Sequence, residues 1–337
     1  MYGTSPSMNC ARRWRGAISW WLLAAALSVQ AQDQARVPAP AVAGAESAVA
    51  SEPALRCGDG MLASLQGCEG GEFDDRRKFR TRALLFGSVG ATAAYGRAKW
   101  WQDGFTGKFK SRNEGWFGGG TEYGGADKLG HAMFAYSGAR LLAHAYQWAG
   151  NEPQAALRLG VATAVGTMMG VEVLDAFARK WHFSHEDAVA NLAGGALAWW
   201  LESDPAADAL LDFRIQYARS TGPDGRRAFD PFGDYSGQRY LMVAKASGMP
   251  ALREHPWLRY LEFNVGYGTR NFETESRALT APTRHVYYGV ALNLSELLRS
   301  TVYQGSARPS RTQRFTETLF EFVQLPAATT GGERVLR

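Results

Sequence analysis

The chain has 337 residues, 46% hydrophobic and 20% charged, which excludes a mainly disordered or collagen-like protein and leaves room for a sizeable core. Its formal charge of +5 falls to +2 if Arg12, Arg13 and Arg15 leave with residues 1–31, a stretch without any acidic residue. No long basic run or basic patch interleaved with aromatics is present, so nothing points to nucleic acid as a partner.

Arg12-Arg13-Trp14-Arg15 precedes an apolar run over 16–29, and Val29-Gln30-Ala31 puts small residues at the two positions a signal peptidase reads. This predicts a cleavable signal peptide over 1–31 and a periplasmic location, with association to the outer membrane as an extension. The alternative, an uncleaved anchor, is disfavoured because a span needs about 20 apolar residues. Cys10 leaves with the leader, and Cys57 and Cys68 remain, an even count that predicts one disulfide stapling a segment over 55–82. Residues 32–54, rich in Ala, Pro and Ser, read as a disordered tether.

A short apolar stretch over 83–95 predicts a first helix, followed over 100–125 by a loop dense in Gly and aromatics. Helical periodicity then runs over 127–149, 155–180 and 185–202, broken at Asn151-Glu152-Pro153 and Trp181-His182-Phe183 and ended at Ser203-Asp204-Pro205. None of these runs holds about 18 uninterrupted apolar residues, so a buried bundle is expected rather than membrane spans. Residues 83–212 are thus a helical domain, and 213–325 a C-terminal region. There, alternation over 260–267 and 285–294 predicts a β-hairpin, and 311–323 a terminal helix. Two strands cannot close a barrel. Residues 326–337 read as a flexible tail. The fold class expected is mainly α (α+β): a compact bundle of short apolar helices, then the hairpin and the last helix.

At about 100° per residue, His131 shares a helix face with Asp127 and the small residues Ala135, Gly138 and Ala145, while Arg140 and His144 fall opposite and should face solvent. On the next helix Glu172 continues the apolar line Val161–Val165–Met168, with Asp175 three residues on. On the third, Asn191 continues the line of Asp187 and shares a stripe with Gly194, Ala198 and Leu201. A carboxylate on an apolar face calls for a partner. If the three faces meet, Asp127, His131, Glu172, Asp175, Asp187 and Asn191 converge. Each also has a structural reading: Asp127 as an N-cap, Ser184 and Asp187 as a capping box, Asp175 paired with Arg179, His131 as a satisfied core residue. Glu172 is hardest to explain this way, since no basic residue lies one turn away on its helix.

Asp127-Lys128-Leu129-Gly130-His131, Glu172-x-x-Asp175 and Phe183-Ser184-His185-Glu186-Asp187-Ala188-Val189-Ala190-Asn191 with Gly194-Gly195 resemble the YfiM-like family of uncharacterised predicted periplasmic lipoproteins. The same order of motifs over 127–201 is similar to VanZ-like membrane proteins. The resemblance implies an envelope location and a shared polar cluster; no lipobox cysteine stands at the end of the apolar run here, a departure from the lipoprotein pattern.

Two functions follow. The first is a non-enzymatic, membrane- or envelope-associated structural or binding protein whose polar cluster locks the bundle. Trp100, Trp101, Trp116, Phe105, Phe109 and Phe117, together with the hairpin, would then meet a membrane surface or envelope component. The second is a hydrolase- or transferase-like enzyme acting on a lipid or cell-wall substrate. His131, Glu172 and Asp175 are its candidate catalytic groups, Asp127, Lys128, Ser184, Asp187 and Asn191 its candidate binding groups. A divalent metal is its candidate cofactor, with His131 and Glu172 the best ligands.

Overall fold

A computed structural model describes residues 72–221, 229–272, 281–304 and 309–336. The expected signal peptide, the tether and the Cys57–Cys68 disulfide lie outside the described residues. Among the described residues, seven helices and a five-stranded antiparallel sheet make the fold mixed α+β rather than mainly α.

The first helix, α1, spans Glu72–Lys99, longer than the apolar stretch alone indicates. Its first turns carry few apolar residues and are held by charge pairs at helical spacing, Asp74 with Arg77 and with Lys78. Helix α2 (Ala126–Trp148) is the centre of the molecule, packed on α3 (Pro153–Phe177), on α4 (His185–Ser203) and on the sheet. Pro153 occupies the first turn of α3, where its missing N–H costs nothing, and the Glu152 side chain accepts from Ala155 N–H. A two-residue parallel pairing joins β1 (Ser111–Arg112) to β2 (Phe183–Ser184).

Helices α2, α3 and α4 fall close to their expected bounds, and α3 is long and apolar enough to cross a membrane by length and composition. One side of α3 nevertheless packs into the core. Backbones touch where it crosses α2: a Cβ on Gly160 would lie 2.5 Å from Ala139 O. The α2–α4 crossing is closer still, with a Cβ on Gly194 falling 2.1 Å from Ala132 O.

After α5 (Pro205–Leu210) comes a meander: β3 (Leu211–Tyr217), β4 (Gln238–Lys245), β5 (Leu261–Arg270), β6 (Thr283–Leu292) and β7 (Thr329–Leu336), each antiparallel to its neighbour. The expected hairpin is its β5–β6 pair, with Phe263 opposite Val290 and Val265 opposite Tyr288. Two expectations are corrected here. The C-terminal region holds four strands rather than two, and the expected tail forms a fifth, β7, because the open edge of β6 offers it a backbone ladder. Helices α6 (Leu294–Thr301) and α7 (Arg311–Phe322) lie between β6 and β7.

The sheet's apolar face meets the helices through Phe213 and Tyr240, in one core with Met133, Tyr136 and Phe322. Its polar face is also buried: Arg214 is bound by Asp212, by Glu262 at 2.8 and 2.9 Å and by Gln324 at 2.8 Å. Arg140 corrects a further expectation. It is 3% exposed and reaches Glu202 at 2.7 Å, Asp208 at 2.6 Å and Glu321 at 2.6 Å. His144 lies 3.6 Å from the same Glu202. The side of α2 opposite His131 is not solvent, because α5, α7 and the sheet cover it.

Candidate functional site

Asp127, Lys128 and His131 stand in the first turns of α2, Glu172 and Asp175 in the last turns of α3, and Ser184, Asp187 and Asn191 at the start of α4. The antiparallel packing of α2 and α4 on α3 therefore brings all eight to one end of the helical layer. His131 Nδ1 lies 3.3 Å from Asn191 Oδ1 and 3.5 Å from Glu172, and its Nε2 lies 3.9 Å from Asp187. Glu172, 1% exposed, also accepts the Ser184 backbone N–H at 3.2 Å. Ser184 caps α4 as expected, its hydroxyl accepting from Asp187 N–H at 3.2 Å. Its own N–H is spent on Glu172, so half of the expected capping box serves the neighbouring helix.

Two structural readings are corrected. Asp127 does not cap α2: Gly125, at φ 90°, holds that position without a side-chain bond. Gly124 and Gly125 both have positive φ, which glycine adopts without the Cβ penalty. Asp127 instead binds Lys128 Nζ at 2.6 Å. Asp175 accepts the Trp101 indole N–H at 2.5 Å, so its partner comes from the aromatic loop rather than from Arg179. Trp101, expected at a membrane, is 3% exposed. The same loop supplies Glu114, which binds Lys128 Nζ at 2.5 Å, with Asp187 3.3 Å from that nitrogen. Lys128 is 2% exposed, its ammonium enclosed by three carboxylates rather than turned to a ligand.

These groups border a cleft of about 250 Å³ lined by seven carboxylates, Glu114, Glu122, Asp127, Glu172, Asp175, Asp187 and Asp230, together with His131, Lys99 and His182. Its walls include the aromatics Tyr95, Trp100, Phe134, Trp181 and Phe232. Lys128, Ser184 and Asn191 stand behind this lining and orient it. Burial pushes the Glu172 carboxyl up to about 8 and that of Asp175 up to about 6, because a charged form is disfavoured away from water. Burial also raises Asp127, against the pull of Lys128. Burial alone would lower His131, but the carboxylates of Asp187, Glu172 and Asp127 outweigh it and raise its pKa.

His131, Glu172 and Asp187 each present a donor atom, all within 4.8 Å of one another. One imidazole and two carboxylates form a donor set that divalent transition metals accept. A second acidic trio, Glu114, Asp127 and Asp187, surrounds the Lys128 ammonium, which supplies the positive charge there. Asp127 Oδ1 and Asn191 Nδ2 are buried without a hydrogen-bond partner among the described residues.

Sequence reasoning missed Glu114, Trp101 and Glu186, which accepts the backbone N–H of Gly115 at 3.1 Å. Glu114 and Trp101 lie in a loop without periodicity, and only the density of Gly and aromatics there marks it. Residues 113–203, which include every charged group around Lys128 and His131, match the model of a family described as predicted periplasmic lipoprotein (DUF2279). The match supports a periplasmic, cell-envelope placement. Neither a curated protein nor a solved structure matches the chain.

Proposed function

We propose that the chain is an exported envelope enzyme of the hydrolase or transferase type, whose acidic cleft performs acid–base chemistry between His131 and Glu172. Residues alone favour a non-enzymatic role, and one observation shifts the balance. Glu172 is buried 3.5 Å from His131 on the wall of an accessible cleft, and among the described residues no lysine or arginine ion-pairs with it. A carboxylate kept only to lock helices gains more from a cation, as Glu202 does from Arg140. The His131–Glu172 pair holds a proton that it can give or take near neutral pH. One member would take a proton from an attacking hydroxyl or water, and the other would deliver one to the leaving group. Asn191 and Asp187 orient the imidazole and are positioning residues.

A membrane surface is the fitting setting. Val189, Leu192, Trp199 and Trp200 on α4 and Val173 and Leu174 on α3 are exposed apolar side chains, of the kind a membrane surface would cover. The YfiM-like and VanZ-like resemblances of the motif set agree with that setting.

The test incubates purified protein with envelope lipid extract and with isolated peptidoglycan at pH 6, reading products by mass spectrometry. Products should form with wild type and vanish in His131→Ala and Glu172→Gln, with neither variant lowering the thermal midpoint. Lowered midpoints in both variants, with no product from wild type, would make the cluster a structural lock. The donor set favours a second reading, in which His131, Glu172 and Asp187 hold a divalent cation that supplies Lewis-acid chemistry. Elemental analysis of wild type beside His131→Ala tests it: a stoichiometric metal lost in the variant supports it, and none in either overturns it.

A further inference from the structure

Two segments far apart in the chain carry positive charge only. Residues 104–113 hold Lys108, Lys110 and Arg112, residues 176–185 hold Arg179 and Lys180, and neither segment contains an acidic residue. The fold lays them side by side. Thr106 N–H donates to Phe177 O at 2.7 Å, Lys110 N–H to Ala176 O at 2.8 Å, Arg179 N–H to Gly104 O at 2.9 Å and Phe183 N–H to Lys110 O at 2.9 Å. Neither segment is a long basic run by itself, and this stitching assembles their cations on one platform. Three of the four flanking carboxylates are spent inward, Glu114 on Lys128, Asp175 on Trp101 and Glu186 on Gly115; Asp103 stands at the edge. Among the described residues, the exposed side chains of Lys108, Arg179 and Lys180 ion-pair with no carboxylate.

The platform also carries exposed rings. Phe105 is 42% and Phe109 57% exposed, and the Phe109 ring centroid lies 5.6 Å from Phe177 and 5.9 Å from Phe183. Val173 and Leu174, exposed in the last turns of α3, precede Phe177 by about one helical turn. Unpaired cations among exposed aromatic and aliphatic side chains make a surface complementary to an anionic bilayer. The rings enter the headgroup layer, while ammonium and guanidinium groups stay at the phosphates. The second segment also supplies Trp181 and His182 to the acidic cleft, so the platform borders the cleft.

We propose that this platform docks the chain on an anionic phospholipid surface, with Lys108, Arg179 and Lys180 at lipid phosphates and Phe105 and Phe109 in the headgroup layer. The proposal rests on the reading of a membrane surface as the setting of the cleft and adds the lipid class and the residues that meet it.

The experiment is co-sedimentation of the purified mature chain with vesicles of phosphatidylcholine alone, or of phosphatidylcholine and phosphatidylglycerol in equal parts, at low and high salt. At about fivefold per cation, the three unpaired cations should make binding to the mixed vesicles about 100-fold tighter than to the neutral ones. High salt should remove most of that gain. Lys108→Gln combined with Arg179→Gln should weaken binding to the mixed vesicles about 25-fold without lowering the thermal midpoint. Phe105→Ser combined with Phe109→Ser should weaken it about tenfold and leave retention on heparin, a soluble polyanion, unchanged. Equal affinity of wild type for the two vesicle types would overturn the proposal without any variant. Vesicle binding indifferent to the two phenylalanines would also overturn it, making a soluble polyanion the partner. Vesicle binding as expected, with no product from envelope extract, would keep the platform and refute the acid–base reading. Product formation that requires His131, without vesicle binding, would do the reverse.

Discussion

Replacing Glu172 by Gln removes a carboxyl that burial pushes from an ordinary 4.5 up to about 8. The folded chain holds this proton more tightly than the unfolded chain does. Its contribution to stability is therefore complete below about pH 4.5 and drains away as pH rises toward 8, beyond which the loss is constant. The gap between 4.5 and about 8, at about 1.4 kcal/mol per pH unit, amounts to about 5 kcal/mol as an upper bound. His131 titrates in the same sense, because its folded pKa is also raised, so a proton shared between the imidazole and the carboxyl lowers the figure without reversing it. Gln keeps the shape and can still accept the Ser184 N–H while carrying no charge to bury. Urea unfolding of wild type and Glu172→Gln, followed by tryptophan fluorescence from pH 5 to pH 9, reads the effect directly. The two proteins should be nearly equally stable at pH 5, and the variant should gain several kcal/mol by pH 9, on the order of 10 °C in midpoint. A difference that stays constant across that range would refute the reasoning, since it would mean that Glu172 is not buried in its charged form.

Gly194→Ala places a Cβ 2.1 Å from Ala132 O, so α4 must move away from α2 and carry Asp187 and Asn191 with it. A thermal scan should show a loss of about 1–3 kcal/mol, and turnover should fall about 100-fold. Gly166→Ala on α3 meets nothing within 4 Å and should instead raise stability by up to about 1 kcal/mol, read as a higher midpoint in the same scan. Arg140→Met strands Glu202, Asp208 and Glu321, and chemical denaturation at pH 7 should register a loss of about 3–5 kcal/mol; a loss below 1 kcal/mol would show that water reaches those carboxylates.

Helices α2, α3 and α4 were legible because each carries an unbroken helical period and, at its start, a breaker or cap. The convergence of Asp127, His131, Glu172, Asp187 and Asn191 followed from helix-face geometry alone. Arg140 was misread by the same geometry, which assigns one buried stripe per helix; a central helix such as α2 is covered on several sides. In Leu211–Tyr217 the alternation is plain, yet nothing in it says that Asp212, Arg214 and Gln216 form a buried face. That is fixed by Glu262 and Gln324, 48 and 110 residues from Arg214. Strand β7 contains Gly331 and Gly332, poor strand formers on their own. Gly331 is required because β6 passes so close that a Cβ would sit 2.1 Å from Tyr288 O. Glu114 and Trp101 reach the site from a loop whose path depends on tertiary contacts, and no local pattern encodes that.

The short pairing of Ser111–Arg112 with Phe183–Ser184 ties the glycine-rich loop to the residue on which α4 begins. Ser184 is simultaneously the cap of α4 and a hydrogen-bond donor to Glu172, and Glu186 grips the loop at Gly115. The loop is therefore a lever with its fulcrum at the head of α4. A pairing only two residues long thus fixes the loop, the head of α4 and the Glu172 carboxyl to one another.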